Sequence, residues 1–319
     1  MTEPSPPRER FTLTAERYAQ ITRIALWTLT GIVLTGAAVR VTGSGLGCPT
    51  WPKCTDESLY SELNAHGLIE FGNRMLTSVV GFACAAAFVG AFRLRPRRRD
   101  LVRLASLLPL GVLAQIVLGG FTVRYDLAPG LVMSHYLLSM LIIIAAVALD
   151  WRAHRAQDAP GVESERLVAY GAWSLIPIGA ITIFAGTAAS AAGPHAGGAG
   201  TGDIINRLTF KGADTLRYVV EQHARLATVL GLLAVGVWVL ARRRGVTSEQ
   251  RKPLTRVCVL MAAQGVIGGL QYALELPAEI VWVHVVLAAL TWVAILLTVA
   301  AIGKPAPRGV ASTEPAPAQ

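Results

Sequence analysis

Charge is what this chain has little of. Only 15% of its 319 residues are Asp, Glu, Lys or Arg, while 53% are hydrophobic. An ordinary soluble domain carries about a quarter charged residues, so a cytosolic enzyme of the usual kind is excluded. The aliphatic content equally excludes a disordered chain. Four cysteines are too few to scaffold a small secreted domain. Acidic residues are the scarcer sign, 20 against 29 basic, which leaves a net charge of +9. That balance suggests nucleic acid only if the cations share a polar surface. Here they fall in short stretches between long apolar runs. The pattern is that of a lipid bilayer protein, with no nucleic-acid partner expected.

Eight apolar runs are long enough to cross a membrane, at about 21–39, 69–92, 101–123, 130–149, 167–190, 218–241, 255–274 and 278–302. Each is expected to be helical, because a lipid-facing backbone must satisfy its own hydrogen bonds. No small-residue cleavage site follows the first run, which reads as a retained helix rather than a signal peptide.

The basic residues set the orientation. They cluster in the N-terminal tail (Arg8, Arg10, Arg17, Arg23) and in the 2–3 connection (Arg93, Arg95, Arg97, Arg98, Arg99, Arg103). Further clusters fill the 4–5 connection (Arg152, Arg155, Arg166), the 6–7 connection (Arg242, Arg243, Arg244, Arg251, Lys252, Arg256) and the C-terminal tail (Lys304, Arg308). Both termini are therefore expected on the cytoplasmic side of a bacterial cell membrane.

The second half repeats the first. Gln115-Ile-Val-Leu-Gly119-Gly120 matches Gln264-Gly-Val-Ile-Gly268-Gly269, and a histidine, His135 or His284, follows each glutamine by 20 residues. Asn73 stands 62 residues before His135, and His223 stands 61 before His284. Such constant offsets imply two units of one plan. An even number of spans per unit makes the repeats parallel, and short connections favour up-down bundles. The expected fold is an all-α membrane protein of two tandem, pseudo-symmetric four-helix bundles. The first bundle occupies 21–150 and the second 167–302, with a cytoplasmic linker at 151–166 and tails at 1–20 and 303–319.

Of six histidines, His135, His223 and His284 lie inside spans, where ionisable groups are costly and usually functional. All three fall one to two turns below the outer surface. His223 and His284, on parallel helices at matched depth, suit the axial positions of one haem, since zinc would want four ligands. The plainer reading is that each imidazole hydrogen-bonds a neighbouring helix. In the first half His135 faces Asn73, which leaves one iron face weak or open and suits a substrate. Glu70 lies one turn before Asn73 on the same face. It is either a proton-handling carboxylate or an interfacial glutamate among headgroups. Arg74 and Arg225 either pair with haem propionates or snorkel to the outer surface. Cys48 and Cys54 flank Pro49-Thr-Trp51-Pro52-Lys53 in the first outer loop, in an oxidising compartment. A disulfide is expected there over two free thiols. Cys84 and Cys258 read as small core residues. His66 and His195 are placed in outer loops and His154 in an inner one.

The segment Arg40-Val-Thr-Gly43-Ser-Gly45-Leu-Gly-Cys48-Pro49-Thr-Trp51-Pro52-Lys-Cys54 resembles the first outer loop of haem A synthases. So do Glu70-Phe-Gly-Asn73-Arg74, the Gln-x-x-x-Gly-Gly pair, Gly193-Pro194-His195-Ala-Gly197 and the intramembrane histidines. The resemblance covers all eight spans. It implies an oxidoreductase that converts a methyl group of haem O to a formyl group by successive hydroxylation, giving haem A for cytochrome oxidase assembly. Haem b is the implied cofactor, with His223 and His284 as iron ligands. His135 is implied to contact the substrate haem iron, with Glu70 beside it, and the cysteine pair matches members carrying an outer-loop disulfide. Haem O synthase and oxidase assembly factors are the implied partners; the electron donor and self-association are left open. One departure stands out: many members have histidine where this chain has Asn73. The rival readings are a di-haem electron-transfer cytochrome, which wants two strong ligands at both sites, and a haem transporter, which wants midplane sites and interrupted helices.

Overall fold

The structure is a computed structural model that describes residues 12–61, 63–198, 200–202 and 205–306. Arg8, Arg10 and Arg308, counted above toward the orientation, lie outside the described residues. The eight long helices are α1 (Ala15–Val41), α2 (Ala65–Arg93), α3 (Arg99–Arg124), α4 (Pro129–Ala153), α5 (Arg166–Ala192), α6 (Thr215–Arg243), α7 (Ser248–Ala273) and α8 (Ala278–Ile302). All are long and apolar enough to span a bilayer. The chain is an all-α, multi-pass membrane protein.

The helices coincide with the eight apolar runs, and most extend past them. Side-chain caps explain part of the difference. Thr14 accepts a hydrogen bond from the Arg17 amide at 3.3 Å and starts α1 well before the apolar run. Asn64 Oδ1 accepts from the Gly67 amide at 2.7 Å, which draws His66 into the first turn of α2 rather than the outer loop. His154, placed by sequence in an inner loop, is the C-terminal cap of α4. Hydropathy registers only the apolar centre of a helix, whereas the caps set its length.

Two four-membered rings result. Each of α1 to α4 packs on its sequence neighbour and α1 closes on α4; α5 to α8 repeat this, with α5 closing on α8. The rings meet where α8 touches α1 and α4, and where α4 touches α5. Lipid tails are as apolar as the side chains, so polar ties and close contact must hold such helices. Two tryptophans of α8 supply ties between rings: Trp292 Nε1 donates to Met140 O (3.1 Å) and Trp282 Nε1 to Leu34 O (3.0 Å).

At one end of the first ring a buried carboxylate pins α1 to α4. Asp150 accepts from Arg23 Nε at 2.9 and 3.1 Å and from Thr22 Oγ1 at 3.3 Å. His154 Nδ1 donates to the Asp150 carbonyl at 2.8 Å, and its Nε2 accepts from Arg23. On the far side of the second ring, Glu163–Ser164 pairs in parallel with Lys304–Pro305, clasping the inter-ring linker to the chain after α8.

The pseudo-symmetry extends to strained backbone. The α3–α4 turn holds Asp126 (φ 47°) and Leu127 (φ 55°); the α7–α8 turn holds Glu275 (φ 60°) and Leu276 (φ 65°). Left-handed non-glycine residues cost about 1–2 kcal/mol each. Both turns offset part of that cost with one hydrogen bond, Leu127 N to Thr122 O (2.9 Å) and Leu276 N to Gln271 O (2.7 Å).

Asp150→Ala is expected to loosen the α1–α4 contact by about 1–3 kcal/mol, because the Arg23 and Thr22 donors lose a buried acceptor. A lowered thermal midpoint of the detergent-solubilised protein checks this; an unchanged one would assign the contact to apolar packing alone.

Candidate functional site

Three imidazoles enter the rings on α4, α6 and α8, and each lies against a glycine of the helix before it. A Cβ added at Gly186 of α5 would stand 2.9 Å from His223 Cε1. At Gly268 of α7 it would be 3.2 Å from His284 Cε1, and at Gly119 of α3, 3.3 Å from His135 Cε1. The first glycine of each Gln-x-x-x-Gly-Gly motif is therefore room for the ring of the next helix. The glutamine fixes that helix in register: Gln115 Nε2 donates to His135 O (2.9 Å) and Ser139 Oγ (2.7 Å), and Gln264 Nε2 to His284 O (3.3 Å).

His223 and His284 face each other with ring centres 6.1 Å apart and planes at 78°. Two imidazoles sharing one metal at about 2 Å from nitrogen have ring centres about 6 Å apart. His223 Nδ1 donates to Thr182 O at 3.0 Å, which leaves Nε2 as the nitrogen with a free lone pair. Its partner on α8 carries a buried Nδ1 that bonds no described residue. This donor set fits a haem held between α6 and α8. Among the described residues no three His, Cys, Asp or Glu side chains converge to hold a bare metal ion.

The first ring is built differently. Asn73 stands on α2 where His223 stands on α6, and its Oδ1 accepts from Thr35 Oγ1 on α1 at 2.7 Å. Gly36 of α1 occupies the place of Gly186, but a Cβ there meets nothing within 4 Å. The glycine has kept its position and lost its ring. The buried Nδ1 of His135 bonds no described residue.

Glu70 is buried, and not among headgroups. Its Oε2 accepts from the Cys48 amide at 2.8 Å, and its Oε1 from Arg74 Nη2 at 2.6 Å and Nε at 3.2 Å. Arg74 also donates to Thr50 O (2.9 Å), Lys53 O (3.2 Å) and Cys48 O (2.8 Å). Its five N–H groups are thus all spent on Glu70 and the α1–α2 loop, leaving none for a propionate. Cys48 and Cys54 are disulfide-bonded, so Glu70 and Arg74 clamp a closed ring of backbone onto α2. The loop then lays the Trp51 indole on Gly120, where a Cβ would come within 2.8 Å of it. The matching Gly269 of the second half meets nothing within 4 Å. The loop therefore covers α3 at Gly120, while the matching position of α7 is left open.

The remaining polar residues divide between loop ties and open positions. Arg225 is exposed on α6 and lies 3.5 Å from Glu221. His195 is neither free nor a plain surface turn: its Nε2 donates to Leu276 O (2.7 Å), and its carbonyl accepts from Arg40 Nε (3.1 Å). Arg40 lines a cavity of about 220 Å³ with Gly43, Pro194 and Gly197. Its terminal amino groups bond no described residue. Arg40 and Trp51 stand in the sequence only as letters of the loop motif, and the glutamines as markers of the repeat. The fixed spacing of 20 from glutamine to histidine was the signal for the glutamine's role; nothing in the sequence marks the others.

A family model described as cytochrome oxidase assembly protein matches residues 19–296. The chain belongs to that family. It is similar to a protein named heme A synthase from Lysinibacillus sphaericus, 34% identical over 135 residues, or 41% of this chain and 44% of that one. It is also similar to proteins of the same name from Bacillus mycoides and Bacillus cereus, each 27% identical over 119 residues, or 37% of this chain and 38% of theirs. The matches thus span less than half the length of those relatives. The match takes in most of α1 and α8, all helices between them and every intramembrane histidine.

Gly186→Ala is expected to push the His223 ring aside and weaken haem retention about tenfold or more, the usual scale for disturbing a ligand's support. Gly269→Ala, facing open space, leaves retention unchanged. Haem content of the purified variants decides; equal content in both would show that the ring has room to move.

Proposed function

We propose that this assembly protein oxidises a methyl group of haem O to a formyl group by successive hydroxylation, producing haem A for a cytochrome oxidase. The observation that carries this reading is the inequality of the two rings. One presents two imidazoles at the spacing of a shared metal; the other presents His135 opposite an amide turned toward Thr35. A cytochrome that only passes electrons gains nothing from dismantling one ligand pair, whereas an enzyme needs one settled cofactor and one accessible substrate. The relatives named heme A synthase support the same assignment.

In this reading residues 167–302 form the cofactor half and 21–150 the substrate half, with the termini cytoplasmic and both sites toward the outer side. Haem b, when bound, supplies one-electron chemistry. His223 and His284 are its ligands, the first held in one tautomer by Thr182. His135 holds the substrate haem O iron from one side, with its helix fixed by Gln115. Asn73 and the room at Gly36 leave the opposite side open. Glu70 is the carboxylate of the substrate half, oriented by Arg74 and the Cys48 amide. Its proposed part is to accept or return a proton as the methyl group is oxidised. Arg40 is the guanidinium free for a propionate, a part that Arg74 cannot fill while it holds the loop; Arg225 remains open to the second haem. Haem O synthase is the natural supplier of substrate and oxidase assembly factors are the natural recipients.

Chromatography of haems extracted from protein purified where haem O is made tests the reading. Haem b together with haem O, haem A or a hydroxylated intermediate is the expected result; haem b alone would favour the cytochrome. Glu70→Gln is expected to retain haem b and lose conversion about 10²-fold or more, while Arg74→Ala, which frees the loop but keeps the carboxylate, loses less. Full turnover in Glu70→Gln would remove Glu70 from the chemistry. Equal losses in both variants would assign its role to the loop.

A further inference from the structure

At the opposite end of the second ring from the open side of the sites, α6 and α7 part around a cleft of about 340 Å³. It is lined by Trp238 and Arg242 of α6 and by Ser248, Arg251, Lys252, Thr255 and Arg256 of α7. Orientation by positive charge demands cations on this side but does not require them to converge on a concavity. Here they do. Lys252 is paired with Glu249 at 2.5 Å. Arg242, Arg251 and Arg256 have no carboxylate within 4 Å among the described residues. The corresponding connection of the first ring differs, since Arg98 there is spent on Asp100 (3.0 Å) and on the carbonyls of Arg152 and Arg155.

The cleft is also held in shape. Trp238 Nε1 donates to Thr255 Oγ1 at 2.9 Å, bridging α6 to α7, and the Arg242 guanidinium carbon lies 4.8 Å from the centre of the indole ring. Gln250 Nε2 bonds Ser164 Oγ (2.9 Å) and Glu163 O (3.3 Å), tying the start of α7 to the inter-ring linker. Only Leu254 and Val257 of α7 are buried, so the gap opens sideways toward lipid. Three unpaired guanidiniums match phosphate oxygens in charge and fork geometry. An indole at the same level is the side chain that packs on glycerol and the first methylenes of an acyl chain.

We propose that this cleft binds the headgroup phosphate of an anionic phospholipid, with the three guanidiniums on the phosphodiester and Trp238 against the glycerol. A zwitterionic lipid offers the same phosphate but brings an ammonium into a cationic site, so it is discriminated against. The proposal stands apart from the enzymatic reading and uses none of its residues.

Native mass spectrometry of the full chain, titrated in mild detergent with phosphatidylglycerol or phosphatidylcholine, tests it. Phosphatidylglycerol is expected to bind saturably and roughly tenfold more tightly than phosphatidylcholine. The triple variant R242Q/R251Q/R256Q should lose that preference, while R97Q/R99Q/R103Q, which removes the same charge from the other connection, should keep it. Equal loss in both triples would reduce the effect to general attraction and overturn the site, as would equal binding of the two lipids by the unaltered chain. Displacement of phosphatidylglycerol by millimolar inorganic phosphate would make the ligand a soluble phosphate and overturn the lipid assignment. Should the cleft triple fail to fold, Trp238→Leu keeps every charge. It is expected to weaken phosphatidylglycerol alone, and unchanged binding in it would overturn the proposal.

Discussion

An imidazole set with its Cε1 edge against a glycine of the neighbouring helix is the contact on which the site depends. Inside a bilayer no hydrophobic gain draws two helices together, so they associate through small residues and hydrogen bonds between helices. Gly119, Gly186 and Gly268 meet both needs at once, since they allow close approach and leave a ring-sized recess. The glutamines Gln115 and Gln264 complete the arrangement by bonding the backbone of the histidine itself rather than its ring. That choice leaves the imidazole nitrogens to whatever binds between the helices. A buried nitrogen without a partner costs about 1–3 kcal/mol, and His135 and His284 each carry one. Support has gone to the position of the ring and not to its satisfaction, as a binding site requires.

The two rings share a frame and differ in their fittings. Their α3–α4 and α7–α8 turns carry the same unusual pair of left-handed residues, Asp126-Leu127 and Glu275-Leu276, although only the leucine is common to both. Against this common frame the differences stand out. Asn73 replaces an imidazole and turns its amide oxygen to Thr35, and Gly36 keeps a recess that no ring fills. Trp51 covers Gly120 while Gly269 stays bare. Each change falls on the same ring. Within one frame, the first ring therefore offers a single imidazole and a filled Gly120, and the second offers two imidazoles and a bare Gly269.

Much of this was legible in the sequence, and what was hidden follows a physical rule. The eight spans were plain because hydropathy over some twenty residues is a strong signal, and the repeat was plain because Gln and His recur at a fixed interval. Helix ends were not, because Thr14 and Asn64 extend α1 and α2 through polar residues that no hydropathy window counts. For Glu70 the sequence leaves open a proton-handling carboxylate or an interfacial one, and for Arg74 a propionate partner or a snorkelling side chain. It cannot show a loop twenty residues upstream folding back to take three of the five guanidinium donors while Glu70 takes the other two. The disulfide was expected from two cysteines in one outer loop; the clamp that holds its ring to α2 was not. Contacts within one element leave a period in the sequence, and contacts between a loop and a helix leave none.

The coupling between halves follows from where the loops interlock. Gly45 of the α1–α2 loop donates its amide to Gly197 O at 2.7 Å and lies against Leu127 of the α3–α4 turn. His195, from the same segment as Gly197, bonds the α7–α8 turn through Leu276 O and receives Arg40 from α1. The α5–α6 loop is thus stitched to the α3–α4 turn, to the α7–α8 turn and to the end of α1. Deeper in the bundle, Trp282 and Trp292 fasten α8, which carries His284, to α1 and α4, which carries His135. Of the three histidine-bearing helices, α4 and α8 are therefore held from both rings, at the level of the loops and again below them, while α6 packs on α5 and α7. Relative movement of the rings would have to break both sets of ties. The separation between His135 and the His223–His284 pair is accordingly a fixed property of the fold.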